Sequence, residues 1–163
     1  MILKAITGTL EAQQSTVYFI NVRITIEMGK LNLNWQETDT KFLEAVLLAT
    51  GGEGAAPLQE ILLMADAIDG TVFSLKEVEQ TLEKLVATQI VTIAKNKLSL
   101  NHAFLQQYEK LTLQEGLTED NSLLFNLLQQ QEITTETIEE AKAVVKKYKL
   151  KNHYQAYVEQ FGG

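Results

Sequence analysis

The clearest pattern of apolar and polar positions lies between Phe73 and Asn101. Apolar residues recur every three or four positions, which predicts an amphipathic helix over residues 74–89. Its buried stripe is expected to consist of Leu75, Val78, Leu82, Leu85, Val86 and Gln89. Ser74 and Glu77 have the spacing of a capping box, and Phe73 and Val78 have that of a hydrophobic staple. Two short apolar segments follow, Ile90 to Ile93 and Lys97 to Leu100, which predict a β-hairpin that turns at Lys95 to Lys97.

Two further helices are predicted upstream of this stretch. The first is capped by Thr38 or Asp39 and runs to about Ala49, where the glycine cluster 51–54 ends it. That cluster follows a helix and precedes no Lys-Ser/Thr pair, so it is interpreted as a connector and not as a phosphate loop. Pro57 suits the first turn of the second helix, over 58–68, and Asp69-Gly70 breaks it.

The N-terminal residues alternate strictly from Ile20 to Met28, which predicts a half-buried strand. Gly29-Lys30 is expected to turn this strand into a second, shorter one at residues 31–34. Because an isolated hairpin is marginal in water, we expect residues 1–34 to pack on the rest of the chain or to pair with another chain. A homodimer is therefore expected.

The C-terminal third is predicted to be helical. The expected helices cover 102–111, 118–130, 134 or 135 to 148, and 153–161, with a break at 113–116 and a joint at 149–152. The second of these is apolar almost all round, and burial in its own domain is favoured over a partner's groove. The predicted divisions are a β-rich extension (1–34), a central domain (35–112) and a helical extension (113–163) packed on the domain or on a partner.

The succession of helix, glycine loop, helix, turn, helix and hairpin resembles the winged helix-turn-helix domain of bacterial and archaeal regulators. The resemblance covers about residues 38–101, with the helix-turn-helix at 58–89 and the wing at 90–101. Leu85, Val86, Ile90 and Val91 match the apolar step into the wing, and Gln89 stands where glycine is usual. The resemblance implies a mainly α fold with a small β component: a winged-helix-like core with an N-terminal β-hairpin and C-terminal helices. Most such domains bind DNA, whereas many others mediate protein interaction or dimerisation.

Charge argues against the DNA-binding interpretation. The chain of 163 residues has a net charge of −7 and a single arginine, Arg23, although phosphate recognition depends on cations. Residues 37–83 contain ten acids and only Lys41 and Lys76 as bases. A DNA-binding surface would nevertheless consist of the outward face of helix 74–89 and the wing. Its candidate contacts are Lys76, Gln80, Lys84, Lys95, Asn96 and Lys97. The acids Glu79 and Glu83 lie on the same helix face and would repel phosphate.

No motif in the sequence predicts catalysis, a metal site or a cofactor. The two histidines, His102 and His153, stand far apart, and the chain has no cysteine, which suits a cytoplasmic protein. No apolar run approaches the roughly 18 residues of a membrane span, and no secretory signal peptide is recognised. The tail lysines at 142, 146, 147, 149 and 151 are explained by the dipole of the helix that they end. The sequence therefore predicts a non-enzymatic protein that acts through protein contacts or dimerisation, with a DNA-binding regulator as the alternative.

Overall fold

A computed structural model describes residues 33–116 and 122–162. Its contacts group residues 33–163 into one compact unit. The strand predicted at 20–28 and the turn predicted at Gly29-Lys30 lie outside the described residues.

The described chain is mainly helical with a small antiparallel sheet, which confirms the predicted fold class. Its order is α1 (Glu37–Thr50), β1 (Ala55–Ala56), α2 (Leu58–Asp69), α3 (Leu75–Ala87), β2 (Val91–Ala94), β3 (Lys97–Leu100), α4 (His102–Glu115), α5 (Ser122–Gln129), α6 (Thr135–Tyr148) and α7 (Leu150–Phe161). The sheet order is β1-β3-β2, with Ala55 opposite Ser99 and Val91 opposite Leu100. Strand β1, only two residues long, was not predicted, because no alternating pattern marks so short a segment.

Helix α3 begins as its sequence predicts. The Glu77 amide donates to the Ser74 hydroxyl at 3.2 Å, and the Ser74 amide donates to the Glu77 carboxylate at 2.7 Å. Val78, Leu82 and Leu85 are fully buried. Each burial of this kind contributes roughly 1.5–3 kcal/mol of hydrophobic stabilisation.

The end of α3 corrects the prediction for Gln89. Gln89 was expected within the buried stripe, but it is exposed and lies beyond the last helical turn, with a φ of 60°. The Ile90 amide donates to the Leu85 carbonyl and the Gln89 amide donates to the Val86 carbonyl, both at 3.0 Å. This is a Schellman cap, whose left-handed position favours glycine. Gln89 therefore adopts the conformation of the glycine that usually precedes a wing.

The start of α1 also differs from the prediction. Neither Thr38 nor Asp39 caps the helix; Gln36 occupies the N-cap position, and its amide donates to the Asp39 carboxylate at 2.8 Å. Asp39 lies in the first turn, where a carboxylate interacts favourably with the helix dipole. The end of α1 agrees with the prediction, since Gly51 forms the C-cap with a φ of 65°.

Two predicted breaks in the C-terminal third are wrong. Helix α4 continues through residues 113–115, because Leu113 lies on its solvent side, 88% exposed, and does not interrupt the backbone hydrogen bonds. The joint predicted at 149–152 is a single residue, Lys149, with a φ of 57°. Helix α7 therefore follows α6 directly.

The last three helices pack on the preceding ones. Leu124, Leu127, Leu128, Val145 and Tyr157 belong to the same hydrophobic core as the buried residues of α1, α2 and α3. Helix α6 packs against α3, and α7 packs against α2. Two hydrogen bonds fix α7: the Tyr154 hydroxyl donates to the Phe73 carbonyl at 2.8 Å, and Gln59 donates to Gln160 at 2.6 Å.

Candidate functional site

Lys84 does not belong to the outward face of α3, where the sequence placed it as a DNA contact. Its side chain is 1% exposed, and its ammonium forms an ion pair with the equally buried Asp39 carboxylate. The ammonium also donates to the Asn34 carbonyl at 3.0 Å. The prediction for Lys84 is wrong because the buried Asp39 carboxylate of α1, which also accepts from Thr81, pairs with the lysine inside the protein. A lysine held in this way cannot reach a phosphate.

The Asp39 carboxylate is the centre of a buried polar network. One of its oxygens accepts from the Thr81 hydroxyl at 2.6 Å, and the other accepts from the Gln36 amide and from Lys84. Both oxygens are therefore hydrogen-bonded, as a buried charge requires. The network joins the first turn of α1 to the middle of α3.

Trp35 extends this network to the C-terminal helices. Its ring centroid lies 5.7 Å from the Lys84 ammonium, within the range of a cation–π interaction. Its indole N–H donates to the Gln131 carbonyl, after α5, at 3.1 Å. Residues 34–36 are therefore fixed to α3 on one side and to the α5–α6 connection on the other.

Little of the predicted outward face of α3 is accessible. Lys76 and Glu79 are exposed, but Gln80, Glu83 and Ala87 are half-buried. Helix α6 packs against α3, and Glu83 interacts electrostatically with Glu139 and Lys142 of α6. A duplex could therefore approach only the exposed part of this face.

Glu83 carries an electrostatic cost in this position. Burial, followed by repulsion from Glu79, raises the pKa of the Glu83 carboxyl to about 6, while Lys142 opposes the shift. Lys142 also pairs with Glu139 at 3.3 Å, so its charge is shared between two carboxylates. A negative charge on α3 next to α6 would repel a phosphate backbone.

The wing presents the other predicted DNA contacts. Lys95 and Asn96 form a two-residue turn with φ angles of 51° and 60°, both in the left-handed region, as in a type I′ hairpin. Lys95, Asn96 and Lys97 are all exposed. Together with Lys76 and the half-buried Gln80, these are the predicted contacts that remain on the surface.

A shallow cavity of about 260 Å³ lies where α3 ends and α4 begins. Its polar lining includes Gln89, Asn101, Gln107 and Gln131, and none of its lining residues is charged. The Gln131 carbonyl is already bonded to Trp35, and the Asn101 side chain caps α4 by accepting from the Ala103 amide at 2.8 Å. Of the four side-chain amides, that of Asn101 is therefore already engaged in a structural role.

The described ranges contain no other group of residues arranged for chemistry. In residues 33–116 and 122–162, no three His, Asp or Glu side chains come together as metal ligands would. His102 is exposed, and His153 stacks on Tyr148 with ring centroids 4.4 Å apart. None of the helices in these ranges is long and apolar enough to cross a membrane.

Comparisons of the chain with protein-family models, with curated proteins and with solved structures found no match. The sequence identified the exposed residues of the wing. It missed the Asp39–Lys84 pair, because nothing in a local pattern links two positions 45 residues apart.

Proposed function

We propose that this chain is a non-enzymatic, winged-helix-like protein that acts through protein–protein contacts or dimerisation. The winged-helix assignment is supported by the order helix, strand, helix, helix, hairpin and by the sheet order β1-β3-β2. A cytoplasmic location is part of the proposal and is supported by the absence of cysteine from the sequence.

One observation carries the proposal against DNA binding. In a DNA-binding winged helix, the third helix enters the major groove. Here the corresponding helix α3 packs against α6, and its Lys84 is paired with Asp39 inside the protein. The two side chains of that face that remain exposed, Lys76 and Glu79, have opposite charges. Such a surface provides little net attraction for phosphate.

The alternative is a DNA-binding regulator that uses the wing. The exposed Lys95 and Lys97 at the hairpin tip favour it, since lysines there could contact a phosphate backbone. Gln80 and Asn96 would be its base-reading candidates. In this alternative, α3 would contribute less than the wing.

Titration with mixed-sequence duplex DNA at low and moderate salt separates the two functions. We expect no binding that depends on the wing. Salt-sensitive binding that Lys95→Ala plus Lys97→Ala weakens, and that Lys110→Ala on α4 leaves unchanged, would overturn the proposal. Light scattering coupled to size exclusion tests dimerisation of the full chain. The mass of a single chain at every concentration would remove dimerisation from the proposal.

A further inference from the structure

Positive charge is concentrated at one corner of the protein, formed by the end of α6 and the start of α7. Residues 141–158 contain five of the 14 basic residues and no Asp or Glu. The remainder of the chain carries a net charge of −12. Lys146, Lys147, Lys149 and Lys151, which we call the lysine corner, are all exposed.

The single-residue joint brings the lysine corner together. Lys149 adopts the left-handed conformation, its amide donates to the Lys146 carbonyl at 3.1 Å, and its own carbonyl accepts from the Asn152 amide at 2.9 Å. Tyr148 and His153 stack across the joint with an angle of 11° between their rings. The four lysines therefore lie within the six residues 146–151, on the last turn of α6, the joint and the first turn of α7.

Helix stability accounts for only part of this arrangement. Lys146 and Lys147 lie in the last turn of α6, where a cation interacts favourably with the helix dipole. Lys149 and Lys151 lie at the start of α7, where a cation is unfavourable, and the first turn of α7 contains no acid. Within the described residues, none of the four forms an ion pair. The corner thus combines like-charge repulsion with an unfavourable dipole, and both would be relieved by an anionic partner.

We propose that the lysine corner binds an acidic protein segment, rich in Asp and Glu, in the partner of this chain. The inference deepens the proposed function, on which it rests, by naming the chemistry of that partner. Lysine is a compact point charge that pairs with carboxylates without the planar fork that favours bidentate phosphate contacts. An extended peptide can contact the corner alone, whereas a duplex or a membrane surface covers a wider area of a protein whose other residues carry a net charge of −12.

The corner also lacks the features that nucleic acids or membranes use. Single-stranded nucleic acids stack on exposed aromatic rings, but Tyr148 is buried and His153 already stacks on it. Arginine, which makes the commonest specific contact to guanine, is absent from residues 141–158. Leu150, the apolar residue between Lys149 and Lys151, is only 4% exposed and is not available for insertion into a bilayer. These observations favour the acidic protein segment.

The test is fluorescence anisotropy of a labelled peptide of alternating glutamate and alanine, titrated with the full chain. We expect binding that weakens tenfold or more between about 20 and 200 mM salt, because the Debye length falls from roughly 20 to 7 Å. The variant that replaces all four corner lysines by glutamine should lose this binding. The matched control carries Lys76→Gln, Lys95→Gln, Lys97→Gln and Lys110→Gln, all at exposed positions, and should retain it. Both variants have the same net charge, so only the position of the charge differs.

Several results would overturn the inference. One is the absence of peptide binding to the unmodified chain at low salt. Another is an equal loss of peptide binding in the corner variant and in the control variant. Binding of duplex DNA or of phosphatidylserine vesicles that requires the corner, in place of peptide binding, would also overturn it by assigning the corner to another class of partner. If neither peptide nor DNA binds, the inference fails while the proposed function stands. Wing-dependent DNA binding would instead overturn the proposed function. Circular dichroism of both variants checks that they fold.

Discussion

Replacing Lys84 by methionine tests whether the buried ion pair organises the contact between α1 and α3. Methionine keeps an apolar side chain of similar length in place of the lysine stem, so the substitution mainly removes the charge. The Asp39 carboxylate then stays buried, 1% exposed, with the Thr81 hydroxyl and the Gln36 amide as its remaining donors. Removal of one partner of a buried pair typically costs about 3–5 kcal/mol. Because two donors remain, we expect the lower end, about 3 kcal/mol.

Equilibrium urea unfolding measures this loss. With a slope of about 2 kcal/mol per molar urea, typical of small proteins, the midpoint should fall by roughly 1.5 M. Lys76→Met is the matched control, since Lys76 is exposed on the same helix. It should change the free energy of unfolding by less than about 0.5 kcal/mol.

A double-mutant cycle separates the pair from its surroundings. Asp39→Asn alone leaves a buried ammonium, and we expect a cost similar to that of Lys84→Met. Combining the two removes both charges, so the double variant should lose only about 2 kcal/mol, well below the sum of the single losses. A loss below about 1 kcal/mol for Lys84→Met would refute the reasoning. Additive losses in the double variant would do the same.

Three further substitutions test local features. Glu83→Gln should raise the free energy of unfolding at pH 7.5 by up to about 1 kcal/mol after allowance for solvent screening, but not at pH 4. Its folded pKa of about 6 exceeds the ordinary 4.5, so stability is lost as pH rises through this interval; an equal gain at both pH values in urea titrations would contradict this. Gln89→Gly should raise the thermal midpoint, because glycine removes about 1 kcal/mol of left-handed strain; an unchanged or lower midpoint counts against it. Tyr148→Phe should stabilise the protein by up to about 1 kcal/mol in urea, because the buried hydroxyl forms no hydrogen bond of normal geometry among the described residues and interacts only weakly with the Leu58 backbone amide. A loss of stability would show that the hydroxyl is bonded.

Short-range patterns predicted α3 and the wing because their determinants lie within a few residues. The Ser74–Glu77 box spans three residues, and the hairpin turn occupies Lys95 and Asn96. The capping box and the turn each require a particular local backbone geometry, which Ser74, Glu77 and Asn96 favour. The fold class follows from such elements, since their order and periodicity are present in the sequence itself.

The buried polar network around Asp39 and Lys84 could not be predicted in the same way, because its contacts are long-range. Asp39 and Lys84 are separated by 45 residues, and Trp35 and Gln131 by 96. On the helical wheel, Lys84 lies about 100° from Leu85, the nearest residue of the stripe, so periodicity places it on the outward face. Its direction is decided by a buried carboxylate on another helix. The packing of α6 on α3 is also a long-range contact. The apolar face of α6 predicts that the helix is buried, but it does not identify the helix against which it packs.

The inward position of Lys84 changes where a partner is to be sought. Helix α3 contacts the core through Val78 and Leu82, joins α1 through Lys84, and packs against α6 near Glu83. A helix engaged on these sides leaves Lys76 and Glu79 as the exposed residues of its predicted outward face. The exposed cations of residues 33–116 and 122–162 are then most concentrated at the wing tip and at the lysine corner. Of these two places, the corner carries more charge and places part of it against the dipole of α7, so the proposed anionic partner would gain more from binding there.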